Sequence, residues 1–118
     1  MQREKANVFL YAAVLRSRTS QAEIKRFAEE YWKAHKAGRP LEALERLDAH
    51  VQDSISDAYG ELKRAYPDVA DVADFQKVGQ WLVSFIVKVD GHSDRIYRDI
   101  HTELRWADGI LNQPESDA

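Results

Sequence analysis

Without a cysteine anywhere in its 118 residues, the chain must build any chemistry from histidine, carboxylates or a bound metal. Four histidines are available: His35, His50, His92 and His101. A di-metal helical bundle needs an inward Glu-x-x-His pair on each of two helices, and none of these histidines has a glutamate three residues before it. Residues 90–94, DGHSD, set two carboxylates around an imidazole and in principle hold a cation. Their plainer reading is a helix end at Gly91 and a helix cap at Ser93, with Asp94 in the first turn, where the helix dipole favours an anion. Glu42, Glu45 and Asp48 recur at intervals of three, with Asp71 and Asp74 as the acids that open the next segment. Arg95 and His101 bracket the stretch RIYRDIH, a fixed cation and an acid–base group separated by five residues.

Two of these patterns carry resemblances. RIYRDIH is similar to the Arg-x(4 to 6)-His signature of the HEPN-type ribonucleases, small all-α proteins that dimerise to bring two such motifs together. The resemblance implies His101 as general acid or base towards a ribose 2′-hydroxyl or leaving oxygen, and Arg95 as stabiliser of charge on the phosphate. It spans seven residues and departs from the family in one respect: Ile96 follows the arginine where a polar residue is usual. Glu42 and Glu45 resemble the Glu-x-x-Glu half of the all-α nucleotide pyrophosphohydrolases, in which four carboxylates on two helices hold magnesium. The second half is represented only by Asp71 and Asp74, at the start of a helix rather than along it.

The aromatic residues point elsewhere. Three tryptophans and five tyrosines include Trp106, which falls off the apolar face of its helix, and large aromatics with a polar edge are enriched where proteins bind one another. The net charge of −3 divides unevenly, +5 over residues 1–39 and −8 over residues 40–118. That asymmetry fits basic helices packed beside acidic ones, or a basic face that meets an anionic partner. TSQAEIKRF is similar to the opening of a helix-turn-helix unit, but the helical pattern runs on to Gly38 with no start for a recognition helix, so nucleic acid is not an expected partner. The N-terminus lacks a signal-peptide cleavage pattern, and no apolar run approaches membrane-spanning length.

Caps and breakers divide the chain into five helical segments. The first covers Arg3 to Arg16. Ser20 and Glu23 form a capping box for the second, which buries Ile24, Phe27, Ala28, Tyr31 and Ala34 and stops at Gly38. Pro40 opens the third, Leu41 to Ala65, with a seam of Leu44, Leu47, Val51, Ile55, Ala58, Leu62 and Ala65. Asp68 or Asp71 caps the fourth, whose core FQKVGQWLVSFIVKV runs from Phe75 to Val89. Its polar residues, Lys77, Gln80, Ser84 and Lys88, share an arc of roughly 80°. The rest of this helix needs cover from two directions, which makes it either the centre of the fold or the seam of an oligomer. Ser93 caps the fifth, with Ile96, Ile100, Leu104, Ala107 and Leu111 on one face.

The sequence therefore predicts an all-α, compact bundle of four to five helices, mostly antiparallel, as one domain over residues 1–111 with a disordered tail at 112–118. By elimination of the catalytic templates, the expected function is a small non-catalytic protein–protein interaction or regulatory accessory module of the cytoplasm. It self-associates as a homo-oligomer, binds another protein through Trp106, Val83 and Val87, and needs no cofactor or metal. The alternatives are a HEPN-like metal-independent ribonuclease using Arg95 and His101, and an all-α nucleotide pyrophosphohydrolase.

Overall fold

A computed structural model describes residues 2–89 and 93–114, and all of the regular structure among them is helical. The fold is all-α. Its elements are α1 (Arg3–Arg16), α2 (Arg18–Lys36), α3 (Pro40–Ala65), the single turn α4 (Pro67–Ala70), α5 (Phe75–Lys88), a 3-10 turn (Ser93–Arg95) and α6 (Ile96–Leu111). The sequence predicts five segments, and α4 is the addition. No helix among the described residues is long and apolar enough to cross a membrane.

The centre of the molecule is α1. Its polar residues sit at its ends, apart from Asn7, and Ala6, Val8, Leu10, Tyr11, Ala12, Val14 and Leu15 between them are all buried. A helix apolar on every side must be enclosed, and α1 packs against each of α2, α3, α4, α5 and α6. The sequence leaves α5 as either the centre of the fold or an oligomer seam; in the structure the centre is α1, and α5 keeps Lys77, Gln80, Ser84 and Lys88 in solvent, as its pattern requires. The side of α5 opposite that strip, at Gly79, Leu82 and Ile86, is buried within the same chain. Asn7 is the one buried amide of α1, and its side-chain oxygen accepts from the Asp74 backbone N–H at 2.6 Å. Its burial is thereby compensated, and the start of α5 is fixed against α1.

Capping moves two boundaries away from the sequence reading. The cap of α2 is Ser17, whose hydroxyl accepts from the Ser20 N–H at 3.3 Å, so Ser20 lies inside the helix. Glu23, released from a capping box, accepts instead from the Ser54 hydroxyl of α3. The cap of α5 is Asp74, which accepts from Gln76 N–H at 3.1 Å and Lys77 N–H at 3.2 Å. Asp68 and Asp71 are used up by α4, which Pro67 starts and the Asp71 N–H closes onto the Pro67 carbonyl. At the end of α2 the expectation holds. Gly38 has φ of 80° and donates to the His35 carbonyl while Arg39 donates to that of Ala34, the paired bonds of a Schellman turn.

The seam of α3 also shifts. Ala43, Leu47, Val51, Ile55 and Leu62 are buried and Ala58 is half-buried, whereas Leu44 and Ala65 are exposed. Four-residue steps from Ala43 carry the buried stripe, leaving Leu44 about 100° away from it. On α6, Ile96, Ile100 and Ala107 are buried and Leu104 and Leu111 half-buried, as the pattern predicts. The α-helix begins at Ile96, after the 3-10 turn that starts at Ser93. Asp90, Gly91 and His92 of the DGHSD stretch, and residues 115–118 of the expected tail, lie outside the described residues.

Candidate partner-binding site

Register between α3 and α5 decides which residues can meet. Phe75 packs on Tyr59 with ring centroids 5.7 Å apart. Further along, a Cβ built on Gly79 would lie 2.6 Å from the Gln52 amide nitrogen and 3.4 Å from Ile55. Beyond that, Val83 and Ser84 share a depression with Leu44 and Asp48. Residue numbers fall on α3 as they rise on α5, so the chain direction reverses between the two helices. Asp74 accordingly lies near the level of Tyr59, roughly 25 Å along α3 from Glu42. The four carboxylates of the pyrophosphohydrolase pattern are spread over the length of the molecule. Asp74 is engaged as a cap, and Glu42 pairs with Arg46 at 2.9 Å. Among the described residues no group of three or more His, Asp or Glu side chains is placed to hold a metal ion.

Arg95 and His101 are both exposed at the start of α6. Arg95 closes the 3-10 turn and His101 lies in the second turn of α6. No hydrogen bond or ion pair joins them among the described residues; Arg98, between them in the chain, and Thr102, just after His101, are exposed, while the buried Ile96 and Ile100 face the core. A cavity of about 600 Å³ runs between the start of α2 and the second half of α3 past Ser20, Glu23, Ser54, Asp57 and Glu61. Arg64 and the apolar Phe9, Leu62 and Tyr66 complete its wall, and no histidine among the described residues lines it.

The polar strip of α5 separates two shallower depressions. On the α3 side, about 410 Å³ of space is bounded by Leu44, Glu45, Asp48, Gln80 and Val83. Leu44 is 42% exposed, and Leu41, three residues earlier on α3, is 76% exposed. Val83 and Val87 are half-buried, and both also pack on the core. On the α6 side, about 280 Å³ is bounded by Tyr11, Trp81, Phe85, Lys88, Glu103 and Trp106. Compared with known protein families, curated proteins and solved structures, the chain matches none of them. The site therefore stands on its own geometry.

That geometry is most specific on the α6 side. Tyr11 and Trp81 have ring centroids 5.7 Å apart at 82°, Tyr11 and Trp106 6.2 Å apart at 79°, and Trp81 and Trp106 6.2 Å apart at 84°. Tyr11 is only 2% exposed, whereas Trp106 is 47% exposed. Burial pushes the Tyr11 hydroxyl well above the usual tyrosine range, and the charge of Glu103 and a hydrogen bond to it act in the same direction. The phenol thus stays protonated beside a carboxylate at the pocket wall.

Trp106 is the one residue of this corner that the sequence reading assigns to an interface. Tyr11 was legible only as a core aromatic in the VFLYAAVL run. Glu103 carries a weak signal, three residues before Trp106 on one face of α6. Trp32 belongs to a different cluster, against Tyr31 and His35 on α2, with its indole nitrogen buried and without a partner among the described residues.

Proposed function

We propose that this chain is a small non-catalytic protein–protein interaction or regulatory accessory module, a mostly antiparallel bundle of four principal helices that self-associates and presents a second surface to another protein. The observation that carries this reading is the pair of depressions flanking the α5 strip, where Leu44 and Trp106 remain exposed after the core is filled, with Leu41 exposed three residues before Leu44. Large apolar side chains gathered beside polar residues mark protein contact surfaces more often than isolated ones do. In this reading Leu41, Leu44, Val83 and Val87 form the contact between two copies, and Trp106 belongs to the partner surface. The lack of cysteine fits a reducing cytoplasm.

The experiment is sedimentation velocity across a wide concentration range, with Leu44→Glu beside the wild type. Self-association that grows with concentration in the wild type and is lost in the variant supports the reading. A wild type that stays monomeric throughout overturns it. The ribonuclease alternative is favoured only by the exposure of Arg95 and His101, which leaves both free for a second copy to approach.

A further inference from the structure

The solvent side of α2 and the start of α6 make one surface of a single charge sign. On α2, Arg18, Lys25, Arg26, Lys33 and Lys36 fall within an arc of about 100°, turned away from the buried Ile24, Phe27, Ala28 and Tyr31. Two of the three carboxylates of α2 are turned aside to α3. Glu23 accepts from the Ser54 hydroxyl, and Glu30 lies 3.2 Å from His50. Glu29 alone is left among the cations.

The start of α6 extends this surface. Lys25 Nζ lies 5.7 Å from the Tyr97 ring centroid, so the first turn of α6 sits against the middle of α2. Arg98, His101 and Arg105 share an arc of about 60° on the solvent side of α6, Arg95 precedes them, and all four are exposed. The carboxylates of α6 turn elsewhere: Asp99 and Glu103 border a depression with Phe85 and Lys88 of α5, and Asp108 pairs with Arg16. Eight Lys and Arg side chains thus stand against Glu29 and Asp94, and none of the eight is in an ion pair among the described residues. Charge summed over halves of the chain hides this surface. Arg95, Arg98 and Arg105 belong to the acidic residues 40–118 and join the basic α2 only in the fold.

We infer that this surface binds the phosphodiester backbone of a single-stranded nucleic acid, with an unpaired base stacked on Tyr97. Cations free of carboxylate partners supply a sequence-independent attraction to phosphates. Tyr97, 48% exposed, is the one large apolar side chain left exposed on the surface among the described residues. One ring among cations suits a strand whose bases are free to stack. A protein partner calls for a cluster of apolar anchors, and an anionic membrane for several apolar side chains to insert. The paired bases of a duplex leave Tyr97 without a role. The surface shares no residue with the depressions at Leu44 and Trp106, so the inference goes beyond the protein-contact reading and stands apart from it.

The test is fluorescence anisotropy of a labelled oligouridylate of about 20 nucleotides titrated with the full-length chain between about 50 and 200 mM salt. The logarithm of affinity falls against that of salt with a slope of about −2 or steeper, as three or more phosphate contacts at about 0.7 each require. Lys25→Gln combined with Arg98→Gln weakens binding and lessens the slope by about 1.4, whereas Lys63→Gln on the exposed side of α3 changes neither. Tyr97→Ala weakens binding at least about fivefold and Tyr97→Phe restores it; the ring is half-exposed, so both variants keep the helical circular-dichroism signal. Absence of binding at about 50 mM salt overturns the inference, as does a slope that the paired glutamine variant leaves unchanged. Equal affinity for polyglutamate overturns it in favour of an acidic protein, and equal affinity for phosphatidylserine vesicles in favour of a membrane surface. A duplex bound as tightly as the single strand, with no effect of Tyr97→Ala, overturns the single-strand assignment. Leu44→Glu, which abolishes self-association, leaves this binding intact, so the two readings fail separately.

Discussion

Tyr11→Phe separates the chemistry of the buried phenol from its packing. The ring is retained, so its contacts with Trp81 and Trp106 survive, and only the buried hydroxyl beside Glu103 is lost. Hydrogen bonds to a charged group are worth about 1.5–3 kcal/mol. Glu103 is half-buried and recovers part of its solvation from water, which brings the expected loss at neutral pH to about 1 kcal/mol. The pH dependence is sharper. An unfolded tyrosine ionises near pH 10, whereas the folded Tyr11 stays protonated above it. Above pH 10 the unfolded chain therefore binds fewer protons than the folded one, and stability falls as pH rises, by up to about 1.4 kcal/mol per unit from this group alone. Phenylalanine has no such slope. Urea unfolding of both proteins at neutral pH and near pH 11 gives the difference directly, with the other tyrosines and the lysines cancelling in the comparison. The gap between wild type and variant closes or reverses at high pH. A gap that stays constant with pH would refute the account of a phenol held neutral by burial beside Glu103.

Leu10→Ala, in the middle of the enclosed α1, costs about 2–5 kcal/mol in urea unfolding, while Leu44→Ala on the surface of α3 costs less than about 0.5 kcal/mol; similar losses at the two sites would contradict the central place of α1. Asp74→Ala removes the cap of α5 and lowers stability by about 1 kcal/mol, with faster amide exchange at Gln76 and Lys77, whereas Asp71→Ala leaves both amides unchanged. His101→Ala leaves the circular-dichroism spectrum intact, and the wild type and the variant alike leave single-stranded RNA uncut on a denaturing gel; cleavage by the wild type that disappears in the variant would establish the ribonuclease alternative instead.

Periodicity and punctuation made much of the fold legible. Arg3 to Arg16, the Gly38 stop, Pro40 at the start of α3 and the exposed strip of Lys77, Gln80, Ser84 and Lys88 all follow from local rules that tertiary structure did not override. The central helix was not legible in the same way. With polar residues confined to one narrow strip, α5 advertised the need for cover, whereas the unbroken apolar run of α1, Val8 to Leu15, is short, and the five neighbours that enclose it are named by no local pattern. Capping was ambiguous because several acceptors competed within a few residues. Ser17 and Ser20 each suit α2, and Asp68, Asp71 and Asp74 each suit the segment before Phe75; the turn that Pro67 starts decided between the aspartates. The aromatic corner unites residues 11, 81, 103 and 106, so its chemistry exists only once α1, α5 and α6 are packed. Trp106 was visible alone as a side chain off its apolar face, and Tyr11 and Glu103 acquire meaning only beside it.

The claim that two copies meet across the α3–α5 depression has a direct test because the chain contains no cysteine. A nitroxide attached at Glu45→Cys, beside Leu44, labels that depression at a single point. Spin-labelled chains are mixed with isotopically labelled, unmodified chains, and only contacts between copies then broaden the observed signals. The Val83 and Val87 methyl resonances broaden in the mixture, and the addition of Leu44→Glu to the spin-labelled chain abolishes the effect. Methyl signals that remain sharp at concentrations where the protein is fully folded would contradict self-association through this face.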